Sequence, residues 1–244
     1  MKKVVAIIQA RMGSTRLPGK VMKKMFGRTV LSHVIERVKQ SEEINEIVIA
    51  TSTLEQDEVI SKEAKKCGVN CFRGSEDDVL SRYYYAAKEN NADAVVRITA
   101  DCPLIDPFII GKIIKYYKKH SYNLVTNAGI GTSQRTYPRG LDTEVFSIKD
   151  LEKAFNNAIE NYQREHVTPY IYENAKHIYV IKNDVNYSDY RWTLDTEEDW
   201  ELISKVYQHL YNGKHNFYLK DIISLIKKYP ELKEINKNVK QKIT

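Results

Sequence analysis

Four short apolar runs, each closed by a polar loop and followed by a helical pattern, set the architecture this chain can adopt. The first, residues 4–8, is apolar at every position, which marks a strand covered on both faces. Residues 46–50, 69–72 and 94–98 also read as strands, each interrupted by one polar residue (Glu46, Asn70 and Arg97). Between and after them, Leu31, Val34, Ile35 and Val38 fall at helical spacing. Residues 57–67, 77–90 (capped near Ser75) and 108–120 also read as helices. Strand and helix alternating four times predict a three-layer α/β/α fold around a mostly parallel sheet. Ligands in such sheets bind beyond the carboxyl ends of the strands. The informative loops are therefore residues 9–20, 51–53, 73–78 and 99–103.

The second half is less regular. Residues 124–127, 143–146, 178–182 and 191–195 read as strands, 148–162 and 197–210 as helices, and 129–140 as a loop. Residues 236–244 are polar and lysine-rich and are expected to fray. No repeat or low-complexity linker divides the chain, so residues 1–235 are expected to form one domain. The net charge of +6 is spread over short lysine clusters and forms no stripe with aromatics. That favours phosphorylated or carboxylated small molecules over nucleic acid. Cys67, Cys71 and Cys102 are odd in number and lack a second Cys/His pair at metal spacing, so they read as thiols in a reducing compartment. The opening apolar run is too short for a signal peptide, and no stretch approaches a membrane span; a cytoplasmic protein without membrane association is expected.

The loop behind the first run holds Gln9, Ala10, Arg11, Gly13, Ser14, Thr15, Arg16, Gly19 and Lys20. Small residues let backbone N–H groups approach an anion, arginine grips phosphate oxygens in pairs, and lysine adds a point charge. This density of donors suits a triphosphate, although the loop lacks the Walker A ending. Residues 8–20 resemble the signature loop of the sugar-acid cytidylyltransferases, which include the synthetases of CMP-Kdo and CMP-sialic acid. Residues 72–80, 97–106, 140–146 and 164–170 are similar to the spore-coat polysaccharide (SpsF-type) group in particular. The resemblance runs to about residue 202.

It implies a nucleotide-diphospho-sugar-transferase-like fold and transfer of CMP from CTP to an acceptor oxygen, with release of pyrophosphate. Residues 1–120 would bind the nucleotide and 121–235 the acceptor. Ala10, Arg11, Gly13, Ser14, Arg16 and Lys20 would hold the triphosphate, with Thr51, Ser52, Arg73 and Gly74 near base and ribose; Gln9 and Asp78 would also bind the nucleotide. Arg11, Lys20 and Asp101 would be catalytic, Asp101 as a Mg²⁺ ligand where a buried strand meets Cys102-Pro103. Asp195 is either a second ligand or the N-cap of the following helix; the resemblance favours the ligand. Arg139, Asp142, Glu144, Arg164 and His166 suit an acceptor bearing hydroxyls and a carboxylate or phosphate, with Asp142 and Glu144 on one strand face. For His166 a structural hydrogen bond is the equal alternative.

The motif at residues 97–106 departs from the Gln-Gly-Asp-Glu-Pro form of the Kdo enzymes, and Tyr83-Tyr84-Tyr85 belongs to the spore-coat type, so a sugar acid and a sugar or polyol phosphate both stay open. Related folds use GTP or UTP, which leaves guanylyl- or uridylyltransfer to a sugar 1-phosphate as the nearest alternative. A related-fold glycosyltransferase is disfavoured because Asp101 lacks the second acid of an Asp-X-Asp motif. A silent nucleotide-binding subunit is a further alternative. Residues 122–137 could form a dimerisation arm, and a homodimer is expected.

Overall fold

A computed structural model describes residues 2–129 and 134–240. In chain order the strands are β1 (Val4–Gln9), β2 (Lys24–Met25), β3 (Arg28–Thr29), β4 (Glu46–Ser52), β5 (Asn70–Gly74), β6 (Ala94–Thr99), β7 (Leu124–Thr126), β8 (Glu144–Ser147) and β9 (Ile178–Val180). The helices are α1 (Val30–Val38), α2 (Glu58–Lys66), α3 (Val79–Glu89), α4 (Pro107–Lys119), α5 (Ile148–Asn157), α6 (Asn161–His166), α7 (Pro169–Asn174), α8 (Glu197–Leu210), α9 (Leu219–Lys228) and α10 (Glu231–Glu234).

Seven strands form one sheet in the order β5-β4-β1-β6-β8-β7-β9. Strands β5, β4, β1 and β6 run parallel, and β8 runs antiparallel to both β6 and β7. In β1, alternate side chains serve opposite faces, which is why the whole run must be apolar. Val4, Ala6 and Ile8 join the core under α1 and α4, whereas Val5 and Ile7 join a second core under α3 and α5. Strand β1 pairs with β4 on one side and β6 on the other, so the chain switches direction across the sheet at β1 and opens a crevice beyond its carboxyl end.

Helix ends follow local chemistry closely. Asp78, rather than Ser75, caps α3 by accepting from Ser81 N at 2.9 Å; Ser75 Oγ accepts from Asp78 N one step earlier. The helix expected over 148–162 is broken into α5 and α6. Ala158 is extended, and Glu160 restarts the chain through a capping box with Gln163. Residues 191–195 form no strand; only an isolated bridge joins Arg191 to Arg139. The polar end is not frayed where it begins, since Asn236 is buried; residues 241–244 lie outside the described residues. Residues 130–133, the middle of the expected dimerisation arm, lie outside them too. The three cysteines are free, and no helix among the described residues is long and apolar enough to cross a membrane.

Candidate functional site

A cleft of about 430 Å³ opens at the carboxyl ends of β1 and β6. One wall is the first loop, including Gln9, Ala10, Arg11, Gly13, Ser14, Arg16 and Lys20. Residues 97–102 form the floor, and Arg139, Asp142, Glu165, His166, Thr193 and Asp195 close the far side.

The loop is tethered beneath its backbone. Ala10 N donates to Ala50 O at 3.1 Å, and Met12 N donates to Asp57 Oδ1 at 2.7 Å. Asp57 is itself buried and accepts from Ser52 Oγ at 2.5 Å. Gly19 sits at φ 65°, a left-handed turn that glycine adopts freely. The turn brings Gly19 N to Met12 O at 3.1 Å and aims Lys20 back into the cleft.

Lys20 Nζ lies 2.7 Å from Asp101 Oδ2 and 2.7 Å from Asp195 Oδ1. The two carboxylates face each other because Leu194 N donates to Asp101 O at 2.8 Å, which pins the 194–195 segment to the end of β6. Burial alone would lower the Lys20 pKa, but the two carboxylates outweigh it and hold the ammonium above its ordinary value. Burial would likewise raise Asp101, yet the Lys20 charge and hydrogen bond hold its carboxyl below the usual range. Arg16 Nη2 adds a contact to Asp195 Oδ2 at 3.0 Å, and Arg191 Nη2 a second at 2.5 Å.

Asp195 is not the helix cap. Thr196 fills that position, its hydroxyl accepting from Asp199 N at 3.3 Å. Asp101 and Asp195 are thus the pair able to hold a divalent cation. No group of three or more His, Cys, Asp or Glu side chains suited to a metal occurs among the described residues. Two hard oxygen donors fit Mg²⁺, which takes one or two carboxylates and draws its remaining ligands from phosphate and water.

Other expected contacts turn out to be scaffolding. Thr51 and Ser52 are fully buried at the end of β4 and do not line the cleft. Arg73 donates to Ser52 O at 3.0 Å and Leu54 O at 2.9 Å, and Gly74 O accepts from Thr53 N, so both brace the 52–54 turn. Asp78 and Arg164 are tied to each other, with Nη2 at 2.5 Å and Nε at 2.9 Å from Oδ2. Arg164 also donates to Phe155 O and Ala158 O, closing the break between α5 and α6. Glu144 points into the core rather than sharing a face with Asp142, which precedes β8. It accepts from Arg97 at 2.6 Å, Tyr172 at 2.6 Å and Thr168 at 3.1 Å. Of the expected acceptor residues, Arg139, Asp142 and His166 line the cleft, with Asp142 held by Arg135.

Two cleft-lining arginines escape the sequence reading. Arg82 from α3 holds the turn after β5 through Ser75 O at 2.5 Å and Glu76 O at 2.9 Å. Arg97 on β6 has Glu144 behind it and the cleft in front. Arg82 sits inside an apolar helical pattern outside the matched motifs, and Arg97 opens the motif at residues 97–106 but lies inside a buried strand, where no local pattern assigns it to the cleft.

The profile of a family described as cytidylyltransferase matches residues 5–229. An uncharacterized protein of Methanocaldococcus jannaschii is 40% identical over 98% of this chain and 97% of its own length. The spore coat polysaccharide biosynthesis protein SpsF of Bacillus subtilis is 32% identical over 95% of this chain and 97% of its own. A solved cytidylyltransferase structure from Leptospira borgpetersenii superposes with a TM-score of 0.89 at 37% identity, covering all of both chains.

Proposed function

The chain belongs to the cytidylyltransferase family, and from that premise we propose that it moves CMP from CTP to an acidic sugar, or to a phosphorylated sugar or polyol, and releases pyrophosphate. The observation that carries this reading is the Lys20 ammonium set between the Asp101 and Asp195 carboxylates behind a loop rich in arginine. Asp101 and Asp195 would hold Mg²⁺; bound there with the nucleotide, the ion would neutralise charge on the phosphates.

The chain's own groups account for the rest. Arg11, Arg16 and the backbone N–H groups of Arg11 and Gly13 bind the polyphosphate. Lys20 turns from the carboxylates toward the α- and β-phosphates and stabilises the charge that grows as the bond to the leaving pyrophosphate lengthens. Arg139 pairs with the acceptor's carboxylate or phosphate, and Asp142 accepts from its hydroxyls. An acceptor oxygen so held attacks the α-phosphorus in line, and alignment supplies much of the rate. A role in cell-surface polysaccharide synthesis, a cytoplasmic location and a homodimer belong to the same proposal.

Pyrophosphate release from ATP, CTP, GTP and UTP, each against a panel of sugar acids, sugar phosphates and polyol phosphates, tests it. CTP with an anionic acceptor should give turnover. Preference for GTP or UTP would replace the reading with a different nucleotidyl transfer, and no release from any pair would refute it.

A further inference from the structure

Asp199 is fully buried, and its carboxylate collects more donors than a helix start requires. Oδ2 accepts from Asp195 N at 2.9 Å and Thr196 N at 3.1 Å, the ordinary work of an acid in the first turn. Arg191 then adds Nε to Oδ1 and Nη2 to Oδ2, both at 3.1 Å. A fifth donor comes from far along the chain: Asn236 Nδ2 reaches Asp199 Oδ1 at 2.8 Å and Arg191 O at 2.9 Å. Asn236 lies beyond α10, in a segment whose composition reads as a loose tail, yet its side chain is buried.

The far end of this network is Asp195, which Arg191 Nη2 grips at 2.5 Å. Asp195 is therefore held from two directions. Lys20 and Arg16 hold it from the cleft, and Arg191 with Asp199 holds it from behind. The cleft-side partners are the cations a polyphosphate would draw away. Once they turn to the nucleotide, the rear clamp is what keeps the Asp195 carboxylate facing Asp101. The same C-terminal segment also meets the front of the site, where Arg16 Nη1 donates to Lys240 O at 3.4 Å.

We propose that Asp199 and Asn236 are positioning residues that act through Arg191 to aim Asp195 at the nucleotide-bound cation, so that the C-terminal segment completes the active site. This rests on the function proposed above. Neither residue touches substrate. Partners of this kind behind a metal ligand are worth about 10- to 100-fold in metal affinity or activity.

The test uses the full chain and three variants, Asn236→Ala, Asp195→Asn and the two combined, each checked by thermal melting. The apparent Mn²⁺ constant of the CTP complex is read by electron paramagnetic resonance, alongside kcat and the KM for each substrate. Asn236→Ala should weaken Mn²⁺ about ten-fold and leave the acceptor KM unchanged. In an Asp195→Asn background the same change should add less than about two-fold, because coupled residues are not additive. An unaltered Mn²⁺ constant in Asn236→Ala, or its full effect persisting without Asp195, would overturn the proposal. So would a uniform loss across all constants. Failure of the wild-type protein to turn over CTP would instead strike the proposed function, and the Mn²⁺ ratio is read without turnover.

Discussion

Acidification should destabilise this fold well above the range where carboxylates titrate. His33 is fully buried, and its Nε2 lies 2.8 Å from Met25 O, a pure acceptor, so Nε2 carries the proton. Nδ1 must then accept from His215 Nε2, also at 2.8 Å, and both rings are neutral. Burial pushes His33 down to about 4 despite the Met25 hydrogen bond, and Arg28 and Arg37 reinforce it. Burial, His33 itself, Arg37 and Arg28 push His215 to about 3.

Against an ordinary value of 6.5, the unfolded chain binds more protons than the native one throughout the interval between folded and unfolded values. Stability is thus complete above pH 6.5 and falls as the solution is acidified below it. Between pH 7.5 and 5 each ring contributes about 2 kcal/mol of loss by linkage, and solvent relaxation brings the pair to about 2–4 kcal/mol. For a domain of this length that lowers Tm by about 2–4 °C per kcal/mol. Denaturant melts at half-unit pH steps, with His215→Gln as the variant, measure it. The variant keeps a donor for His33 Nδ1 but removes one titrating ring, so its pH slope should roughly halve. Equal wild-type stability at pH 7.5 and 5, or an undiminished slope in the variant, would refute the reasoning.

Three further outcomes follow from the geometry. Gly140 sits at φ 96°, and an added Cβ would lie 2.5 Å from Trp192 C and 2.6 Å from Trp192 O. Gly140→Ala should therefore cost about 3 kcal/mol or more and raise the acceptor KM by displacing Arg139 and Asp142, read by melting and kinetics. Glu144→Gln removes the countercharge from half-buried Arg97, whose charge Glu144 sustains against burial. A loss of about 3–5 kcal/mol is expected in denaturant titration. Lys20→Met should lower kcat with CTP about 100-fold or more. It should also let Mn²⁺ bind the nucleotide-free protein more tightly, since no ammonium then bridges Asp101 and Asp195; titration calorimetry with Mn²⁺ alone checks the second effect.

What the sequence discloses here depends on period and punctuation. Strands β1, β4 and β6 were legible because strands covered on both faces are mostly apolar, β1 at nearly every position and β4 and β6 around Glu46 and Arg97. That Lys20, Asp101 and Asp195 meet was anticipated because each lies in a polar segment following a buried one at the same edge of the sheet. Arg164 and Asp78 were expected as ligand contacts and are tied to each other. Each has the right chemistry, but they satisfy one another across 86 residues, and pairing at that distance leaves no local trace. Glu144 failed for a related reason, since alternation predicts a face and cannot say that Arg97, Thr168 and Tyr172 wait on the inner one. Helix α9 went unread although Ile222, Ile223, Leu225 and Ile226 pack into the main core. Asn236 is one amide among lysines, and only folding reveals its partners.

The cleft draws its wall residues from positions as far apart as Gln9 and Asp195, which bears on how the protein is made. A ribosome adding about 5–20 residues per second exposes the first loop and Asp101 several seconds before Asp195, and Asn236 last of all. During that interval only one of the two carboxylates that face Lys20 has been made, and the rear clamp has not. The carboxylate pair facing Lys20 is therefore complete only once residue 195 has been made, and its clamp only after residue 236.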